Sequence, residues 1–152
     1  MRWDLYDKNY NITDMSIDST ETIPNDLYHL TVNVWIVNSN KQVLLLKKAI
    51  NYGLRYPGCW TGINGNVLES NTSLDTIPLV INDKLNLDIE ISNIKEVGID
   101  LRDPHNYIYN TFIVESDIDI NDIHLDEEKY TKCKYIDYDE LGLVSNEEKQ
   151  MF

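Results

Sequence analysis

One stretch of this chain, Thr72 to Asn86, has the pattern of a long helix; the other apolar runs are short and rich in β-branched residues. Thr72 is the expected N-cap, with Asp75 three residues on to close a capping box. Leu74, Ile77, Ile81 and Leu85 then recur at helical spacing and give one apolar face. Such a face must be buried, and the rest of the chain supplies strands to bury it. Pro78 interrupts this pattern. In a helix interior it removes one N–H and crowds the preceding turn, costing roughly 3 kcal/mol. The helix is therefore expected to kink at Pro78, or to start later with Pro78 in its first turn.

Strand signals lie on both sides. Trp3 to Asp14 reads as an N-terminal strand. Leu30 to Val37 and Gln42 to Lys47 flank the turn Asn38-Ser39-Asn40-Lys41 and form a hairpin. Asn51 to Pro57 is a loop, and Gly65 to Leu68 is a short strand. Ile89 to Leu101 and Tyr107 to Glu115 are two further strands, joined at Arg102-Asp103-Pro104-His105. Ser116 to Glu128 is an acidic connection, and Cys133 to Asp137 is the last strand, followed by a short helix. The order predicts a mixed sheet between helices, an α+β arrangement in one domain of residues 1–152.

The net charge of -13 narrows the partners. It opposes broad nucleic-acid binding and adhesion to anionic membranes, both of which need clustered Lys and Arg. It also slows the approach of an anionic nucleotide unless a local basic patch or a metal compensates. No apolar run reaches membrane-spanning length, the N-terminus is polar, and Cys59 and Cys133 make no disulfide framework. A cytoplasmic setting is the expectation.

The segment Gly65 to Leu87, GNVLESNTSLDTIPLVINDKLNL, resembles the Nudix box, G-x5-E-x7-R-E-U-x-E-E-x-G-U with U a bulky aliphatic residue. Gly65, Ile81 and Leu87 match the frame. Asn71 stands where the first glutamate belongs, Leu79 and Val80 at the Arg-Glu pair, Asp83 and Lys84 at the Glu-Glu pair, and Asn86 at the last glycine. Around it, WDLYDKNYNITD, YHLTVNVWIVNSNKQVLLLKK, RYPGCWTG and KYIDYDELGLV resemble, in order, elements of the isopentenyl-diphosphate isomerase-like branch. The resemblance implies an α/β/α sandwich with a mixed β-sheet.

It also implies a chemistry whose ligands are largely missing. Family members hold Mg²⁺ or Mn²⁺ through glutamates equivalent to Val80, Asp83 and Lys84, spaced to share one helical face. Only Asp83 remains as a metal ligand. The isomerase's Cys-Gly-His is Asn64-Gly65-Asn66 here, and His29, which matches an upstream metal-binding histidine, has no second histidine on its strand.

Three functions follow as expectations: a catalytically degenerate protein that binds a small diphosphate or nucleotide-like ligand; an active phosphohydrolase using Mg²⁺ or Mn²⁺ with Asp83, Glu69 and Glu115; or an interaction protein with an inert cleft. For the first, the expected ligand-binding residues are Lys84, Arg55, Lys47, Trp60 and Asn71, with Lys84 replacing the lost cation. A homodimer is the remaining partner expectation.

Overall fold

The computed structural model describes residues 1–51, 56–102 and 106–143. Asp103, Pro104 and His105, expected as a turn, Arg55, expected in a loop and as a ligand-binding residue, and the chain beyond Leu143 lie outside them. The described chain runs β1 (Arg2–Tyr6), β2 (Ile12–Asp18), β3 (His29–Val37), β4 (Gln42–Lys48), β5 (Trp60–Thr61), β6 (Ile63–Asn66), α1 (Ser73–Leu85), β7 (Asn93–Arg102), β8 (Tyr107–Glu115) and β9 (Tyr130–Asp137). Two 3-10 turns, Ile120–Asp122 and Tyr138–Leu143, complete it. The fold is α+β, with a seven-stranded mixed sheet and, among the described residues, one α-helix.

The N-terminal segment is two strands where the sequence predicts one. Asp7 ends β1 because its carboxylate accepts the N–H groups of Asn9 and Asn11, and Tyr10 turns through a positive φ of 67°. The chain then returns antiparallel as β2. Likewise β9 begins at Tyr130, three residues before the expected Cys133, and β7 begins at Asn93 rather than Ile89.

The sheet is organised around a fork. One edge of β3 pairs with β8 in parallel along its whole length, from His29 beside Tyr107 to Val37 beside Glu115. Its other edge meets β4 only at Val37 and Val43, and meets β6 across Thr31 to Val34. One edge of β4 is filled by β9, while Leu46 and Lys47 pair with β5 on the other. A strand has only two edges, so β3 and β4 must diverge from their turn, with Trp60 to Asn66 wedged between them.

Alternation along the strands then assigns the two faces. Leu30, Val32, Val34 and Ile36 of β3, Leu44 and Leu46 of β4, and Ile108, Phe112 and Val114 of β8 point to the face that α1 covers. The helix contributes Ile77, Val80, Ile81 and Leu85. Leu74, expected in that stripe, is 59% exposed. It lies three residues before Ile77, but the burial arc is centred a step further round, on Ile77, Val80 and Ile81. On the opposite face Val43, Leu45, Trp60 and Ile136 form a smaller cluster beside Trp35 and Val37.

The helix has the expected caps. Thr72 and Asp75 form a reciprocal capping box, and Asn86 closes the C-terminus in a left-handed conformation. The later start, with Pro78 in the first turn, does not hold, since α1 begins at Ser73 and continues through Pro78. Pro78 sits on the exposed side, where water can serve the carbonyl that loses its donor. The acidic connection is also anchored: Ile118 is buried, Ile120, Ile123 and Leu125 pack on the core, and the His124 N–H bonds the Leu85 carbonyl at 3.0 Å.

Gly65 fixes how close α1 comes to the sheet. A Cβ at this position would collide with Cγ1 of Val80. A Gly65→Ala variant is therefore expected to lose about 1–3 kcal/mol through overpacking. In urea denaturation, a Gly65→Ala/Val80→Ala double variant should lose less than the sum of the two single changes. Additive losses would contradict the contact.

Candidate functional site

The box loop and helix are held from both ends. The Val67 N–H bonds the Leu30 carbonyl at 2.9 Å, the Glu69 N–H bonds the Arg2 carbonyl at 2.9 Å, and the Ser70 N–H bonds the Asp4 carboxylate at 2.8 Å. At the helix start, Asn110 of β8 donates to the Ser73 hydroxyl at 2.9 Å. The equivalents of the family's metal-binding face therefore have fixed positions. Val80 is buried against Gly65. Asp83 lies on the outer side of α1 with its side chain 69% exposed. Lys84 approaches Asp83 at 3.5 Å and lies 5.6 Å over the ring of Tyr130.

The remaining acids do not join Asp83 into a ligand set. Glu69 accepts from the Arg2 guanidinium at 3.0 Å on the surface. Glu115 ends β8 beside Val37, whereas the box loop attaches at Leu30, so Glu69 and Glu115 lie roughly 20 Å apart along the strands. Among the described residues, no three of His, Cys, Asp and Glu come together as a metal-binding group. Asn71 stays in the box loop, its N–H bonded to the Leu68 carbonyl at 3.0 Å.

The expected ligand-binding residues separate. Lys84 is on the helix side of the sheet, above Tyr130. Lys47 and Trp60 are cross-strand partners on the opposite side, where the Lys47 ammonium lies 5.8 Å from the indole. The structure thus brings Lys47 and Trp60 together and keeps Lys84 from them. Arg55 lies outside the described residues.

The register adds two residues that the sequence reading missed. Lys132 of β9 is directly opposite Lys47, and Lys134 is opposite Leu45. The Lys134 ammonium reaches over β4 to within 4.1 Å of the Trp60 ring. The Lys-x-Lys alternation was visible in the sequence. Starting the last strand at Cys133 hid it, because Lys132 then fell in a loop.

His29 is placed apart from both groups. It is 1% exposed, stacked on Trp3 at 4.1 Å and edge-on to Tyr107 at 4.4 Å. Among the described residues, neither ring nitrogen has a hydrogen-bond partner, nor does the buried Nε1 of Trp3. Burial in this aromatic sandwich pushes the imidazole pKa down from 6.5 to about 4, so His29 is neutral at neutral pH.

No family model matches the sequence, and no curated protein matches it. Solved structures do resemble the fold. The DR0079 protein of Deinococcus radiodurans has a TM-score of 0.71 at 15% identity, over 93% of this chain and 86% of that one. A MutT/nudix family protein from Enterococcus faecalis has a TM-score of 0.60 at 16% identity, over 76% of this chain and 46% of that one. A MutT protein from Methanosarcina mazei has a TM-score of 0.59 at 14% identity, over 78% and 83%. The chain has a Nudix-like fold.

The burial of His29 generates a pH dependence. Well above pH 6.5, the imidazole is mainly neutral in both folded and unfolded chains. As pH falls from 6.5 toward about 4 the unfolded chain takes up a proton that the folded one refuses, so stability drops. The full loss below that range is about 3 kcal/mol. Asp18, Asp75 and Asp117 have carboxyl pKa values held below 3.8 by hydrogen bonds, so their contribution is lost only at lower pH. Urea denaturation between pH 7 and 4.5 should show most of that loss in the native chain and little in a His29→Phe variant, which keeps the ring. An unchanged slope in the variant would assign the effect elsewhere.

Proposed function

We propose that this chain is a Nudix-fold protein that binds a small diphosphate or nucleotide-like ligand without hydrolysing it. The observation that carries this reading is the environment of Val80. Its apolar side chain is buried on Gly65 at the position where the Nudix resemblance calls for a metal-binding carboxylate. A hard divalent cation needs several oxygen ligands converging on one point. Val80 offers none, Lys84 brings a positive charge beside Asp83, and Asp83 by itself faces solvent. These residues do not fit Mg²⁺ or Mn²⁺.

The proposal that a ligand is retained rests on two features. One is the Nudix-like fold, which the MutT/nudix protein of Enterococcus faecalis shares. The other is the survival of cationic side chains in a chain of net charge -13. A basic group in so acidic a protein offsets the field that otherwise repels anions. The alternative, an active phosphohydrolase with Asp83, Glu69 and Glu115 as its acids, has a geometric obstacle in the roughly 20 Å that separates Glu69 from Glu115 along the strands.

Phosphate release from a panel of nucleoside and organic diphosphates, with Mg²⁺, Mn²⁺ or EDTA, tests the reading. The expected result is release at the level of the blank in every condition, together with thermal stabilisation by some of the same compounds that EDTA leaves unchanged. Metal-dependent turnover that disappears in Asp83→Ala would overturn it.

A further inference from the structure

We propose that Lys47, Lys132 and Lys134 form an anion site on the sheet face opposite α1, taking the phosphates of a compact di- or triphosphate-bearing ligand. The inference rests on the proposed ligand-binding function and locates the phosphate contacts. Strand register places the three residues on one face. Lys47 lies between Trp60 on β5 and Lys132 on β9, and Lys134 stands two residues along from Lys132. Two of the ammonium groups, those of Lys47 and Lys134, converge on the Trp60 indole, at 5.8 and 4.1 Å.

The energetics of this arrangement point to an anion. Like charges directly opposite each other on adjacent strands destabilise a sheet. Lys47 and Lys132 are such a pair, and neither they nor Lys134 form an ion pair within the described residues. The chain has 26 acidic residues against 13 Lys and Arg, so its composition offers acidic partners in excess. Three of those cations are instead gathered without one. The indole holds two of them by cation–π attraction and shields their stems, but it cannot neutralise their charge. Lysines on an edge strand also deter pairing with other chains. That role accounts for Lys132 and Lys134 on β9 but not for Lys47, which is on an interior strand. A phosphate chain, with charges on neighbouring groups, would bridge the ammonium groups and remove their repulsion.

Trp60 makes the site observable. An anion that draws an ammonium off the ring changes the indole's surroundings, so its fluorescence reports binding. The probes are inorganic pyrophosphate and ADP, titrated at low ionic strength into the full chain and into Trp60→Phe, Lys132→Gln/Lys134→Gln, Lys132→Ala and Lys84→Gln variants. We expect both probes to shift the emission, the response to vanish in Trp60→Phe, and rising salt to weaken binding. The double variant should bind at least about tenfold more weakly, with Lys84→Gln unchanged. Lys132 is exposed, so Lys132→Ala tests the site with little risk to folding and should weaken binding in the same direction.

If the probes bind the native chain but the lysine variants keep full affinity while Lys84→Gln loses it, the site assignment is wrong and the ligand-binding function stands. A response to ADP without one to pyrophosphate would overturn the phosphate assignment. If neither probe binds the native chain, the anion site fails, while the ligand-binding reading falls only if no compound of the wider diphosphate panel stabilises the chain thermally.

Discussion

The close approach of α1 to β6 is the constraint on which the rest of the fold depends. Gly65 has no side chain, so Val80 can rest on the strand backbone. That contact seals the helix against the wedge that fills the β3–β4 fork. A larger residue at position 65 would lift the helix from Val32, Val34 and Ile63, all essentially buried beneath it. The same close approach determines what the helix can do chemically. A side chain pressed into the core at position 80 has no room to present an oxygen to a cation. Close packing and the proposed absence of metal chemistry thus both rest on one apolar residue.

Electrostatics divides the molecule by face. Beneath α1, Lys84 is occupied locally by Asp83 and the Tyr130 ring. Across the sheet, Lys47 and Lys134 lie over the Trp60 ring with Lys132 opposite Lys47, and among the described residues none of the three forms an ion pair. Distance in sequence gives no hint of this. Lys47 and Lys132 are 85 positions apart in the chain and become neighbours only because β9 pairs with β4. An acidic chain that must attract an anion gains most from a compact cluster, since screening in salt removes the effect of scattered charges beyond about 8–10 Å.

Much of the architecture was legible beforehand. The helix and its caps, the β3–β4 hairpin and β8 agree with the sequence reading, because capping chemistry and alternation are local. Errors occur where local signals compete. Asp7 and Tyr10 make a turn that a continuous polar-apolar pattern conceals. Leu74 has the right spacing for burial and lies outside the arc that meets the sheet. Pro78 argues against an interior position, but the buried stripe after it outweighs one missing hydrogen bond on the solvent side. Of the proposed site, Lys47 and Trp60 could be named from sequence, but not their grouping with Lys132 and Lys134, nor the separation of Lys84 from them.

By itself the sequence determined α1 with its caps, the β3–β4 hairpin, β8 and the apolar or basic residues at most Nudix-like box positions, since these depend on residue identity over a few positions. Only the tertiary structure decided that Val80 is core, that Lys84 and Lys47 lie on opposite faces, that Lys132 stands opposite Lys47 and that Lys134 joins Trp60. The faces taken by Lys47, Lys132 and Lys134 depend on strand register. Because side chains alternate between faces, a shift of one residue would send every one of them to the other side, and register is set by pairings between distant segments.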